Sequence, residues 1–284
     1  AKLISLGQWY ADVIKLENAN YWEINGFEIY HGSPHHEDYG HGIYARFANH
    51  ISIKNNIIHD MGGSGIQFDK FDYAHIENNE IYNCAFHNPF QCSGISLYQA
   101  RAYDQNPGYH NIIKNNICYN NENKLTFLTT DGNGIIIDDF RNLQDPDYNT
   151  FYEYSTLVEN NLCFFNGGKG LHTFFSDNVD FINNTSYKNN FDLMNEGTWR
   201  GELSTAFSSN IKWINNIAVS EKGNGILAYN ATVLIGASQD NIIFYNNLIY
   251  NGINGDSAIN IFDSPFSINE IDNSNIIGID PKFI

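Results

Sequence analysis

The chain contains no apolar run long enough to cross a bilayer as a helix, and no stretch that sustains apolar residues at i, i+3, i+4 and i+7. Membrane insertion and an α-helical architecture are therefore not expected. Basic residues are few: Lys and Arg number 15 against 32 Asp and Glu, a net charge of -17. Such a chain repels nucleic acid and anionic lipid at long range, so neither is an expected partner. Cysteine is scarce as well, with Cys84, Cys92, Cys118 and Cys163 only. No Cys-x-x-Cys pair and no His-Glu-x-x-His motif occurs, so a zinc site is not indicated. The first residues carry no signal-peptide pattern, as in a mature secreted chain, and a secreted or cell-surface location is expected.

What the chain has instead is a repeat. Two adjacent asparagines recur at 55–56, 78–79, 115–116, 160–161, 183–184, 215–216 and 246–247. The shortest spacing is 23 residues and the longer ones hold polar insertions, which describes a repeating coil with loops. Asn25-Gly26 fits as an earlier copy. Around each pair the text alternates with period two, as in IleSerIleLysAsnAsnIleIle at 51–58, which indicates strand. Asparagine tolerates the left-handed backbone region, suiting it to a bend between strands, and amides stacked from coil to coil can bond as a ladder. A second landmark precedes each pair: Gly42, Gly65, Gly94, Gly134, Gly170, Gly201 and Gly225, each leading a short strand. The expected fold is all-β, one right-handed parallel β-helix spanning residues 1–284, with loop insertions and a monomeric state. Cys118 and Cys163 each follow an Asn pair by two positions and are expected to stack in the interior. Cys84 and Cys92 bracket a loop and could form a disulfide in an exporting compartment.

Aligning the glycines turns the sequence into a grid. Residues one and three after each glycine are apolar or small and are expected inside. The outward columns then read Tyr44, Gln67, Ser96, Ile136, His172, Glu202 and Arg46, Asp69, Tyr98, Asp138, Phe174, Ser204, with Lys70, Gln99, Asp139 and Phe175 just beyond. Aromatics beside ionisable groups suit a saccharide, whose ring faces stack on aromatics while its hydroxyls and carboxylates need polar partners. The densest constellation is Asp138-Asp139 with His172 and Glu202 on the next two coils. Adjacent carboxylates can hold calcium or serve as acid and base, and equally an Asp pair at a strand end can be solvated or cap a turn. Lys169, Arg200 and Arg141 flank these strands and could neutralise a uronate or act as base. Tyr44, Arg46, Asp69, Lys70, Tyr98, Arg141 and Phe174 are the expected substrate contacts. Near the start, His35, His36, Glu37, Asp38 and His41 share one loop, where a metal site is conceivable.

The Gly-led strands, the Asn-Asn turns and the ending AsnIleIleGlyIleAspProLysPhe at 275–283 resemble the secreted right-handed β-helix proteins of the pectate-lyase-like superfamily. That architecture is shared by lyases, hydrolases, epimerases and phage tailspikes, so the resemblance implies a carbohydrate substrate rather than one reaction. AspGlyAsnGlyIleIle at 131–136 is similar to a stretch of calcium-dependent family 9 polysaccharide lyases, with Ile136 where those enzymes carry the lysine base. Polygalacturonase-like hydrolases place an Asp pair on one coil and a histidine on the next, as Asp138-Asp139 and His172 do; their Asn-Thr-Asp and Arg-Ile-Lys motifs have no match here.

Three functions follow as expectations. The first is a polysaccharide lyase cleaving a uronate polymer by β-elimination, with Ca2+ held by Asp138, Asp139 and Glu202 and with Lys169, Arg200 or His172 as base. The second is a glycoside hydrolase using two of those carboxylates. The third is a non-catalytic glycan-binding or tailspike module that uses Tyr44, Tyr98, Phe174 and Phe175 as its platform.

Overall fold

Each short alternating segment becomes a strand because its apolar half needs an interior and its polar half needs water. The computed structural model describes residues 1–5, 11–31, 39–125, 130–192, 200–220, 231–236, 240–255, 258–262 and 271–283. These residues wind as a right-handed parallel β-helix of three sheets, with ten, nine and eight strands among the described residues. Every strand pairs in parallel with its counterpart on the next coil. No helix is present among the described residues, and none could cross a membrane.

The interior is one continuous stack. Ile43, Ile66, Ile95, Ile135, Leu171, Leu203 and Val233 fall in one column, all fully buried, and Phe181, Trp213 and Phe244 stack ring on ring in another. Cys118 and Cys163 are in register and buried, as the Asn spacing predicts. All four thiols are free, so the bridge between Cys84 and Cys92 is not formed.

The Asn pairs divide the labour at one corner. The first Asn of each pair sits in the left-handed region, with φ of 53° at Asn55 and 54° at Asn160. The second is buried, and its amide donates Nδ2–H to the Oδ1 of the next coil: Asn56 to Asn79 (2.9 Å), Asn79 to Asn116 (3.0 Å), Asn116 to Asn161 (3.0 Å), and onward through Asn184, Asn216 and Asn247 to Asn275. Each backbone N–H of these residues donates to the same oxygen, so one carbonyl satisfies two buried donors. Gly26 takes the left-handed corner and Phe27 the ladder position in the earlier coil, because Asn25 pairs with Lys54; the expected equivalence of Asn25 with Asn55 is thus one residue off. A second amide ladder, Asn121 to Asn166 to Asn189, runs along another corner; Asn121 and Asn189 belong to further adjacent pairs, 120–121 and 189–190, outside the series that marks the repeat.

Candidate functional site

The nine-stranded sheet, beginning with Ile14–Glu17, Ile43–Arg46, Ile66–Asp69, Ile95–Tyr98 and Ile135–Asp138, bears a groove of about 390 Å³ on its outer face. Its floor is formed by Tyr44, Gln67, Ser96, Asp69, Tyr98 and Asp138, and its wall by the 89–92 segment. The floor residues are the outward members of the Gly-led strands, because Ile43, Ala45, Ile66, Phe68, Ile95, Leu97, Ile135 and Ile137 occupy the core. The sequence grid is therefore correct from Tyr44 and Arg46 through Ile136 and Asp138 to His172 and Phe174.

It fails at the next coil. Leu171 pairs with Leu203, not Glu202, so Ser204 stands beside His172 and Ala206 beside Phe174. The register follows the apolar alternation, which carries Leu203 and Thr205 inward, and the leading glycine does not fix it. Glu202 instead takes the glycine column itself. It is fully buried; its Oε2 accepts from Ser186 Oγ (2.7 Å) and Asn189 Nδ2 (2.5 Å), and its Oε1 accepts from the Asn189 N–H (2.8 Å). Glu202 thus terminates the second amide ladder. Burial pushes its carboxyl up to about 7 in spite of those bonds.

Asp138 and Asp139 are also separated by the backbone. Asp139 sits in the left-handed corner (φ 49°), fully buried, accepting from the N–H groups of Leu143 (2.8 Å) and Gln144 (2.9 Å) and from Gln99 Nε2 (2.9 Å). It ties down the following loop. Asp138 faces the groove, and its buried Oδ1 has no hydrogen-bond partner. Burial holds the Asp138 carboxyl well above the ordinary carboxylate range, and the negative charges of Asp131 and Asp139 push the same way against Lys169. It is a carboxyl that holds its proton more tightly than an exposed aspartate does, opening into a groove.

With Glu202 and Asp139 committed elsewhere, Asp138, Asp139 and Glu202 do not form the expected calcium cage. Among the described residues no cluster of three or more His, Cys, Asp or Glu could hold a metal. In the histidine-rich loop, His35, His36, Glu37 and Asp38 lie outside the described residues, as does Gly225. His41 lines the groove, and its Nδ1 accepts from the Ser64 N–H (2.9 Å), so Nε2 carries the proton. Burial lowers this imidazole to about 4, which keeps it a neutral donor.

The other expected residues divide into two groups. Arg46 Nε lies 3.1 Å from Asp69 Oδ2, and the Tyr44 hydroxyl donates to the same oxygen (3.2 Å), so the three form one cluster, of which Tyr44 and Asp69 line the groove. Burial raises the Asp69 carboxyl while Arg46 and Lys70 oppose that rise, and burial together with nearby carboxylates raises the Tyr98 phenol. Lys70 pairs with Asp145 (2.9 Å) and Arg141 forks onto Asp177 (2.8 and 2.7 Å), both away from the groove floor. Lys169 is buried, donating to Thr130 O (2.5 Å), and burial lowers its ammonium. His172 is buried with Nδ1 facing Ser204 O (3.3 Å), and burial beside Lys169 holds its imidazole well below the usual range. Arg200 is buried, and Phe174 packs on Phe175 and Phe207. None of Lys169, His172, Arg200 or Phe174 lines the groove. The columns did not flag His41, Gln144 or the Phe90 wall, which come from loops; Asp131 stood in the motif at 131–136 without drawing notice.

The sequence pattern of the right handed beta helix region matches residues 8–150, half of the chain. The chain belongs to the right-handed beta helix family. No curated protein matches this β-helix in sequence. Among solved structures it is similar to the periplasmic alginate epimerase AlgG, with a TM-score of 0.48 and 14% identity over 85% of this chain and 57% of that one. It is also similar to the A-module of the mannuronan C-5 epimerase AlgE4 of Azotobacter vinelandii (TM-score 0.42, 13% identity, 90% of this β-helix and 63% of that chain). The AlgE6 A-module of the same organism gives a TM-score of 0.40 at 11% identity, covering 97% and 87%. This β-helix spans less than two thirds of the AlgG and AlgE4 chains it matches.

Proposed function

We propose that this β-helix is a carbohydrate-active enzyme, secreted or at the cell surface, that lays a polysaccharide along the groove and cleaves it with Asp138 as proton donor. The observation that supports this reading is Asp138 at the groove, with a buried Oδ1 that has no hydrogen-bond partner and a carboxyl raised well above the ordinary range. A glycosidic oxygen leaves readily only when protonated, and a carboxyl whose pKa is raised toward the working pH is suited to that task.

Asp69 stands two strands away in the same column, with Tyr98 between. Two strand spacings amount to about 9.6 Å at the backbone, the upper edge of the carboxyl separation that lets an acid and a base flank a glycosidic bond and the attacking water, so the pair serves if the side chains lean toward each other. Hydrolysis with inversion is the chemistry this pair supports. Asp138 gives its proton to the leaving oxygen, the C1–O bond breaks, and water adds to C1 as Asp69, beside the Arg46 guanidinium, takes its proton.

β-Elimination on a uronate polymer is the second reading, favoured by the Arg46 guanidinium, whose side chain is 37% exposed beside the groove floor. There it would neutralise the C5 carboxylate, and Asp69, which lines the groove beside it, would take the C5 proton. Asp138 serves as acid in both. Incubation with a panel of uronate and neutral polysaccharides separates them: reducing ends without ultraviolet absorbance mean hydrolysis, and both rising together mean elimination. If neither rises, the proposal fails and a binding module remains.

A further inference from the structure

Phe90 is 73% exposed, the most exposed large apolar side chain among the described residues, where many aromatics instead lie in the core or in stacked ladders. It projects from the 85–92 loop at the wall of the groove, facing a floor that carries Asp69, Tyr98 and Asp138. Exposure of a ring on a loose loop would mean little. This loop is fixed to the preceding coil. The N–H groups of Ala85, His87 and Asn88 donate to Gly63 O (2.7 Å) and Gly62 O (2.9 and 3.0 Å), and the buried Asn88 amide donates to Tyr39 O (2.6 Å). The Phe90 N–H donates to Asn88 Oδ1 (2.8 Å), and the Gln91 amide donates to the Thr130 hydroxyl. Gly63 leaves room for this: a Cβ there would meet His41 Nδ1 at 2.7 Å and Tyr39 O at 2.7 Å. The backbone on both sides of the ring is thus held in advance of any ligand, while the ring itself faces water.

We infer that Phe90 is a platform on which one pyranose ring of the bound glycan stacks, setting the position of the chain over Asp138. The apolar C–H face of a pyranose matches an exposed phenyl, and the ring hydroxyls then point toward the floor, where His41 Nε2–H, Gln67 and Ser96 supply polar partners. Because the loop is already anchored, little ordering cost is left for binding.

The inference rests on the proposed function, and its test separates the two. Affinity electrophoresis through gels containing each polysaccharide compares wild type, Phe90→Ala, Phe90→Trp and Asp138→Asn, with steady-state kinetics on whichever polymer is cleaved. Phe90→Ala is expected to lose retardation and to raise KM about 3- to 10-fold with kcat within about twofold, the scale of one aromatic contact. Phe90→Trp is expected to keep retardation, and Asp138→Asn to be retarded like wild type while inactive. Wild-type retardation and KM in Phe90→Ala would overturn the platform and leave the proposed function standing. A fall in kcat alone would overturn it too. If wild type is neither retarded by nor active on any polymer, both ideas fall together.

Discussion

Asp138 and Asp69 occupy one outward column with Tyr98 on the strand between them, and the two carboxyls differ in what touches them. Both leave a buried Oδ1 without a hydrogen bond, but Asp69 has Arg46 Nε at 3.1 Å and the Tyr44 hydroxyl at 3.2 Å on its Oδ2, whereas Asp138 lies beside the further negative charge of Asp131 and Asp139. Two acids in unlike surroundings are the raw material of acid and base roles.

Arg46 opposes the burial that raises the Asp69 carboxyl. In Arg46→Met the proton affinity of Asp69 rises, so the acid limb of the pH–rate profile moves to higher pH, and kcat/KM falls more at pH 5 than at pH 8. An unmoved acid limb, with KM raised only for uronate substrates, would assign Arg46 to carboxylate binding and elimination instead.

Asp131 is buried, and its charge helps raise the Asp138 carboxyl. Asp131→Asn should lower the proton affinity of Asp138 and shift the alkaline limb, where the acid loses its proton, to lower pH. Profiles of kcat from pH 4 to 9 check the direction; a shift upward would contradict it.

Glu202 gives a stability prediction of definite sign. Its folded-state value, about 7, lies above the unfolded value near 4.5, so the native state holds the proton more tightly. Its contribution is intact below about 4.5 and is lost as pH rises through 7, amounting to about 3 kcal/mol. Urea unfolding of wild type and Glu202→Gln at pH 4.5 and pH 8 isolates it, since any constant cost of the substitution cancels. The wild type should lose about 3 kcal/mol more than the variant over that interval; equal losses would contradict the assignment.

Neighbouring asparagines should respond in opposite ways. Asn161 accepts from the Asn116 N–H (2.9 Å) and Nδ2 (3.0 Å) and donates to Ile113 O (2.9 Å), so Asn161→Ala strands several buried groups and should cost about 3–5 kcal/mol. Asn160 is exposed at φ 54°, where glycine is at ease; Asn160→Gly should be within about 0.5 kcal/mol, while Asn160→Val should cost about 1–2 kcal/mol. Denaturant midpoints of the three variants test the contrast.

The fold was legible because a solenoid repeats its physics. Asn pairs mark a corner whose left-handed backbone and buried amide both need that residue, so Asn55-Asn56 and Asn215-Asn216 announce the same turn 160 residues apart in sequence. The outward columns were legible as far as the strands obeyed the glycine marker. Glu202 escaped because Leu203, not Gly201, decides the register there, and a period-two pattern slipped by one residue sends every side chain to the other face. Asp139 escaped for another reason: a strand that ends in a left-handed residue turns the next side chain out of the column, so two adjacent aspartates came to face different surroundings. His41 and Phe90 belong to insertions, which carry no repeat to be read against.

Cleavage in the groove depends on Asp138 as the proposed proton donor. That role is tested most directly by measuring reducing ends released by wild type and Asp138→Asn from the same polysaccharide, with matched circular dichroism spectra. In Asp138→Asn kcat is expected to fall about 10²- to 10⁴-fold with substrate retention in affinity gels unchanged. Full activity in Asp138→Asn would contradict it.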